Sequence, residues 1–376
     1  MSKQANVEVH NEIDVTDLDY DSYLRIAELK NLQKRRTTEH DEHLFIVIHQ
    51  VYELWFKEVD FEISSVLDLM KDLHRIEDKM LTVLSRLQRV IVVLKILVDQ
   101  IRVLETMTPL DFLDFRHELG SGTGFQSFQF HLIEVKLGLR QADRVGHGKL
   151  CRTQYTETHS DFRSDLEKAE SPGPSLFDLV ERWLETNASD SFWQTYCKGV
   201  DDYLKEEKAR LDFENEKHMK KFETLESSFE DIKRESRYSA KKVKLLQEST
   251  NTNGETKFDE KGETQREIVE KPMFRLSHKA AQGAIRIIQN RDDRQFHTSY
   301  QLLSLLMDVD SLLMHWRNNH SLFVHRMIGS KMGTGGSGGY EYLRKTVASE
   351  TYRIYSDLFK LSSFLVPRRC IGDAES

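Results

Sequence analysis

Cysteine is scarce in this chain, with three residues, Cys151, Cys197 and Cys370, among 376. They lie far apart, fit no Cys-x-x-Cys spacing and cannot all pair, which excludes a disulfide-built scaffold and suits a reducing compartment. Proline is scarce too, at five, so little interrupts the long helical periodicities, and the class they point to is all-α. Long apolar runs are missing. The most hydrophobic stretch, residues 90–98, is broken by Lys95 and is too short to span a bilayer. The opening MSKQANVEVHNEIDV carries acids and no apolar segment, so a secretory or transit peptide is not expected. Positive charge is in deficit, 54 Lys and Arg against 62 Asp and Glu for a net charge of −8. That balance gives no general attraction for phosphate backbones. The expectation is a cytoplasmic protein with neither nucleic acid nor membrane as partner.

What the chain does have is amphipathic helix. A hydrophobic content of 39% beside 31% charged residues is ordinary for a globular protein, and the length allows a large core. Apolar steps of three and four predict helices over about 18–32, 41–73, 77–105, 176–185, 192–213 and 340–361. In the second of these the expected stripe is Leu44, Ile48, Val51, Trp55, Val59 and Val66. Pro109 opens a short helix, PLDFLDFRHEL, in the position where proline is tolerated, and a further helix is expected over about 125–142. Long antiparallel helices at 41–73, 77–105, 297–328 and 340–361 form the expected bundle core of one domain, 1–376. Between 214 and 271 the composition turns to Lys, Glu, Ser and Thr, and LQESTNTNGETKFDEKGETQRE is nearly devoid of apolar residues. This reads as a charged, partly flexible insertion.

The helix at 302–327 carries the most informative feature. Its seam runs Leu302, Leu306, Val309, Leu313, Trp316, His320, Phe323, Met327, apolar at every step but one. His320 therefore turns inward, and a buried imidazole needs a partner for its ring nitrogens. A carbonyl or carboxylate in the core would serve; so would a haem iron, which needs an apolar slot with one inward-facing nitrogen. His49 borders another stripe, with Phe45, Tyr52 and Glu53 as helical neighbours. Phe112 and Arg116, four apart, put an aromatic wall and a guanidinium fork on one helix face beside a glycine break, an arrangement suited to a carboxylate. His40 and His43 share a face but read equally as a solvated first turn, and no Glu-x-x-His di-iron signature is present. Gly333 to Gly338 spells G-T-G-G-S-G, a literal dinucleotide fingerprint. A helix precedes it where the fingerprint needs a strand, so that reading is rejected. Thr334 in this turn remains a candidate for contact with a polar ligand.

Five blocks resemble the tryptophan 2,3-dioxygenase family, haem enzymes that open the indole ring. They are HDEHLFIVIHQVYELWFKE (40–58), LETMTPLDFLDFR (104–116), GFQSFQF (124–130), LLMDVDSLLMHWRNNH (305–320) and RMIGSKMGTGGSGGYEYLR (326–344). The similarity covers roughly 18–145 and 273–368, with patches such as LVERWLE (179–185) between them. The resemblance implies an all-α bundle with a haem b (heme b) pocket, its N-terminal segment exchanged between subunits of a homotetramer, a dimer of dimers. It implies insertion of O₂ across the indole C2–C3 bond of L-tryptophan to give N-formylkynurenine, the first step of tryptophan degradation by the kynurenine pathway.

Residue by residue, the resemblance implies that His320 is the axial haem ligand and His49 the distal histidine facing the indole N–H. Phe45 and Phe112 become aromatic walls of the substrate pocket, with Ile46, Val47 and Ile48 in the same substrate-binding stretch. Arg116 pairs with the substrate carboxylate, and Thr334 meets the amino-acid end. Thr123 is carried as a further substrate contact, and Tyr20 and Tyr23 resemble tyrosines that enter a neighbouring subunit's pocket. Departures accompany the match. Gly120, Ser121, Gly122 and Thr123 replace a Ser-Pro-Ala-Ser stretch, and two extra glycines loosen that rim because ordering them costs more entropy. His131 and Val135 stand where arginine and asparagine are common. A haem sensor or carrier would use His320 without needing Arg116, Thr334 and the aromatic walls; a cofactor-free helical scaffold would use the stripes for packing alone.

Overall fold

The computed structural model describes residues 19–120, 127–145, 173–211, 215–234, 274–333 and 339–371. Among these every regular element is helical. The chain begins with α1 (Tyr20–Leu24) and α2 (Ile26–Leu29), followed by α3 (His40–Met70), α4 (Ile76–Leu104) and α5 (Pro109–Arg116). Next come α6 (Phe128–Leu137), α7 (Leu176–Thr186), α8 (Asp190–Ala209) and α9 (Glu216–Lys233). The last group is α10 (His278–Gln289), α11 (His297–Ile328), α12 (Gly339–Ala348), α13 (Ser356–Lys360) and α14 (Arg368–Ile371).

Three long helices carry the core. Both α3 and α11 pack along α4, α6 lies on α3, and α7 pairs with α10. The face of α3 that turns inward is Ile48, Tyr52, Phe56, Val59, Ile63, Val66 and Met70. Ile48, Val59 and Val66 of the expected stripe are buried there and Leu44 and Trp55 pack half-buried against the core, while Tyr52 and Phe56 take fully inward places beside Val51. The reason is tertiary: Phe56 meets Phe130 of α6 at 5.3 Å, and the Tyr52 hydroxyl donates to the Leu97 carbonyl of α4 at 2.9 Å. Large aromatic faces gain more from such partners than valine does. On α11, Leu302, Leu306, Val309, Leu313 and Met327 are buried as the seam predicts.

Local chemistry accounts for several ends. Thr108 and Asp111 form a capping box around Pro109, the first residue of α5. Ser175 and Asp178 do the same for α7. At the end of α6, Gly138 adopts φ +119 as a left-handed cap. Gly283 lets α10 approach α7 backbone to backbone, for a Cβ there would stand 1.9 Å from the Leu184 carbonyl oxygen.

Three expectations change. The 18–32 helix is cut in two at Arg25, which takes φ 51, and neither half buries a residue; helices this short have little to hold them without packing. The 340–361 helix stops at Ala348. Beyond it Thr351 donates to the Asp143 carbonyl at 2.6 Å, the Tyr352 hydroxyl accepts from Val145 N at 3.2 Å, and Asp310 accepts from Arg353 and from Tyr355 N. These tertiary bonds pull the backbone out of helical register. Within 214–271, α9 is a helix that composition did not reveal, held by Phe222, Phe229 and Ile232. The segment 235–273 lies outside the described residues. No described helix is long and apolar enough to cross a membrane.

Candidate active site

α3 and α11 bring two imidazoles to one place. His320 is half-buried on α11. Burial presses its pKa down to about 4, and the Arg317 guanidinium and the nearby His49 ring act in the same direction. His49 is likewise lowered by burial, against a smaller opposing pull from the Phe45 carbonyl and Glu53. Both rings are therefore neutral near pH 7, the form in which imidazole binds a metal or accepts a hydrogen bond.

The tautomer of His49 follows from one bond. Its Nδ1 lies 2.7 Å from the Phe45 carbonyl oxygen, one helical turn back. A carbonyl only accepts, so Nδ1 carries the proton and Nε2 presents a lone pair. One turn further along α3, Glu53 is held by Gln129 of α6, whose amide donates to its carboxylate at 2.8 Å.

Aromatic rings pack against both imidazoles. Phe45 packs on His49 with centroids 4.1 Å apart, and lies 5.9 Å from Phe112 and 5.5 Å from Phe115. Phe112 and Phe115 meet edge to face at 5.5 Å. Together with Met107, Phe323 and Met327 they form an apolar cluster separate from the main core. On the other side Trp316 sits 5.1 Å from His320 and 4.5 Å from Phe130.

Arg116 ends α5, and its Nη2 donates to the Met332 carbonyl. That bond ties α5 to the chain entering the glycine-rich turn, while the fork has five N–H donors in all. Either side of the turn is also joined by His325 and Tyr340, whose rings stack at 3.9 Å and 11°. Helix α11 leads into this turn and α12 leaves it, which agrees with rejecting a dinucleotide fingerprint.

The predicted residues thus divide. His320, His49, Phe45 and Phe112 gather, with Arg116 at the end of the helix that carries Phe112. Ile48 packs in the main core, Ile46 is half-buried, and Val47 lines an open pocket with Arg35, His40, Asp41, His43, Leu44 and Thr106. His40 and His43 are exposed in the first turn of α3, and among the described residues no three His, Cys, Asp or Glu converge. Tyr20 and Tyr23 are 72% and 71% exposed on α1, away from these rings. Thr123 and Thr334 lie outside the described residues. Sequence reasoning missed Phe115 and Met107; the spacing Phe112–Phe115, three apart on one short helix, was the available signal.

The fold and site define an all-α bundle that brings two neutral imidazoles, from different helices, against one set of aromatic rings. Comparison with known proteins gives that class a family. The tryptophan 2,3-dioxygenase family model matches residues 3–365. A tryptophan 2,3-dioxygenase of Anopheles gambiae is 40% identical over 368 residues, covering 94% of this chain and 86% of that protein. Those of Aedes aegypti and Mayetiola destructor are each 39% identical, over 94% and 93% of this chain and 86% of each protein. The chain belongs to the tryptophan 2,3-dioxygenase family.

Proposed function

We propose that this chain is a haem-dependent dioxygenase that adds both atoms of O₂ across the C2–C3 bond of L-tryptophan's indole, yielding N-formylkynurenine. The observation that carries the proposal is the pair of neutral imidazoles on α3 and α11 in an aromatic cavity. Such a donor set fits haem b: one neutral nitrogen for the iron, a second on the opposite helix, and apolar walls for the porphyrin. His320 would hold the iron. When bound, the haem supplies the dioxygen chemistry that side chains lack.

The chain's own residues bind and orient the substrate. Arg116 takes the carboxylate with its planar fork, which has donors to spare beyond the Met332 bond. Phe45 and Phe112 flank the indole and exclude water. His49 accepts the indole N–H at Nε2, because Nδ1 is committed to the Phe45 carbonyl. The indole nitrogen is a very weak acid, so this bond orients the ring without removing its proton. Thr334, with Thr123, meets the amino-acid end. Tyr20 and Tyr23, exposed on their own chain, reach a neighbouring subunit's pocket in a cytoplasmic homotetramer. The whole chain acts as one domain, with 214–271 an insertion in it.

The test is an absorption spectrum of the purified, reduced protein with and without L-tryptophan. A Soret band that shifts on tryptophan addition, followed in air by new absorbance from the formylated product, supports the proposal. Haem without turnover would favour a sensor or carrier, and a His320→Ala protein with unchanged haem ligation would refute the ligand assignment.

A further inference from the structure

Next to the cavity lies a buried ion cluster that substrate binding does not use. Glu134 of α6 is 3% exposed, and its carboxylate accepts from Arg144 Nη1 and Arg317 Nη2. Burial pushes this carboxyl up, but Arg144 and Arg317 overcome it and hold it at about 2. The Arg317 guanidinium is itself buried, 5.2 Å from the Phe130 ring and 4.6 Å from Tyr352. Arg317 stands three residues before His320 and its charge bears on that imidazole. One turn of α11 is thus pinned to α6 at two adjacent points, Trp316 on Phe130 and Arg317 on Glu134, and Trp316 in turn packs 5.1 Å from His320.

A buried ion pair adds little net stability, since desolvation offsets its attraction. It does impose direction: the guanidinium fork meets its carboxylate in few orientations. We propose that Glu134 and Arg317 are a positioning pair for His320, fixing the rotation of α11 and setting the electrostatic field at the iron ligand. This rests on His320 being the haem ligand. Groups that orient a metal-binding histidine from behind affect metal retention by about 10–100-fold. The field has a sign as well. A guanidinium near the iron favours the less positive ferrous state, and the Glu134 carboxylate opposes it.

The experiment compares haem-loaded wild type, Glu134→Gln, Arg317→Gln and Arg317→Lys by haem transfer to apomyoglobin and by spectroelectrochemical titration. Glu134→Gln is expected to raise the midpoint potential and Arg317→Gln to lower it, with haem loss about tenfold faster or more in both. Arg317→Lys keeps the charge but not the fork, so its potential stays at the wild-type value while haem loss quickens. Loss of packing alone would not move the two potentials in opposite directions. Shifts of the same sign, or unchanged potential and unchanged haem loss, would overturn the proposal. Should Glu134→Gln fail to fold by circular dichroism, the Arg317 variants decide: a potential lowered by Gln and retained by Lys supports the pair, and equal potentials refute it. A wild-type protein that takes up no haem overturns the ligand reading itself, an outcome visible before any variant is made.

Discussion

The Nδ1–H of His49 is committed to the Phe45 carbonyl at 2.7 Å, which makes Nε2 an acceptor before any substrate arrives. His49→Ala is expected to keep its Soret band and to lose about 10–100-fold in turnover, the effect of one orienting hydrogen bond in a desolvated site. Complete loss of turnover with tryptophan still bound would instead give His49 a chemical role. Arg116 answers to a different measurement. Arg116→Lys keeps the charge and loses the fork, so KM for L-tryptophan should rise about 10–100-fold with haem content unchanged. Tryptamine, which lacks the carboxylate, should react equally poorly with both proteins. Equal discrimination by the variant and the wild type would remove Arg116 from that role. At this scale much was legible: an interrupted apolar seam exposed His320, and i, i+4 spacing paired Phe45 with His49 and Phe112 with Arg116. The tautomer of His49 was not, because it depends on backbone geometry.

Among the elements, α10 and α7 approach most closely at Gly283. A Cβ there would stand 1.9 Å from the Leu184 carbonyl oxygen and 2.9 Å from its carbon. Alanine usually stabilises a helix by about 1 kcal/mol over glycine, yet here the two backbones must part. Gly283→Ala is therefore expected to lose about 2 kcal/mol net, read as a lower urea midpoint; a rise in the midpoint would mean that α10 shifts freely. Helix existence was readable from period and from Pro109 at the first position of its helix. Stripe membership was less so, since Tyr52 and Phe56 face inward because α4 and α6 offer partners remote in sequence. The break after Ala348 belongs with these, being set by bonds from Thr351 and Tyr352 to residues more than 200 positions earlier.

For the molecule as a whole, buried titratable groups set the response to acid. Burial first, then Arg144, lowers His131 to about 4, against an ordinary value near 6.5 when unfolded. A depressed histidine pKa means that the unfolded chain binds the proton more readily. The contribution is therefore fully present above about pH 6.5 and disappears as pH falls towards 4. By pH 5 the protein should lose about 2 kcal/mol through His131 alone. Glu134, held at about 2, adds a second loss below about pH 4.5, as a carboxylate with depressed pKa stabilises only while ionised. Urea midpoints at pH 7 and pH 5 check the first of these, and His131→Gln should shrink the difference by that amount while the part due to His320 and His49 remains. The assembly is tested by light scattering, where four copies are expected; a monomer would leave Tyr20 and Tyr23 without a neighbouring pocket.

The helical class and the inward seam position of His320 were determined by sequence alone, because period and residue chemistry are local properties. Only the tertiary structure decided that His49 lies near His320, that Phe115 packs on Phe45 and that Glu134 reaches Arg317. Those pairings link residues far apart in the chain, and no spacing along a single helix encodes which faces of different helices will meet.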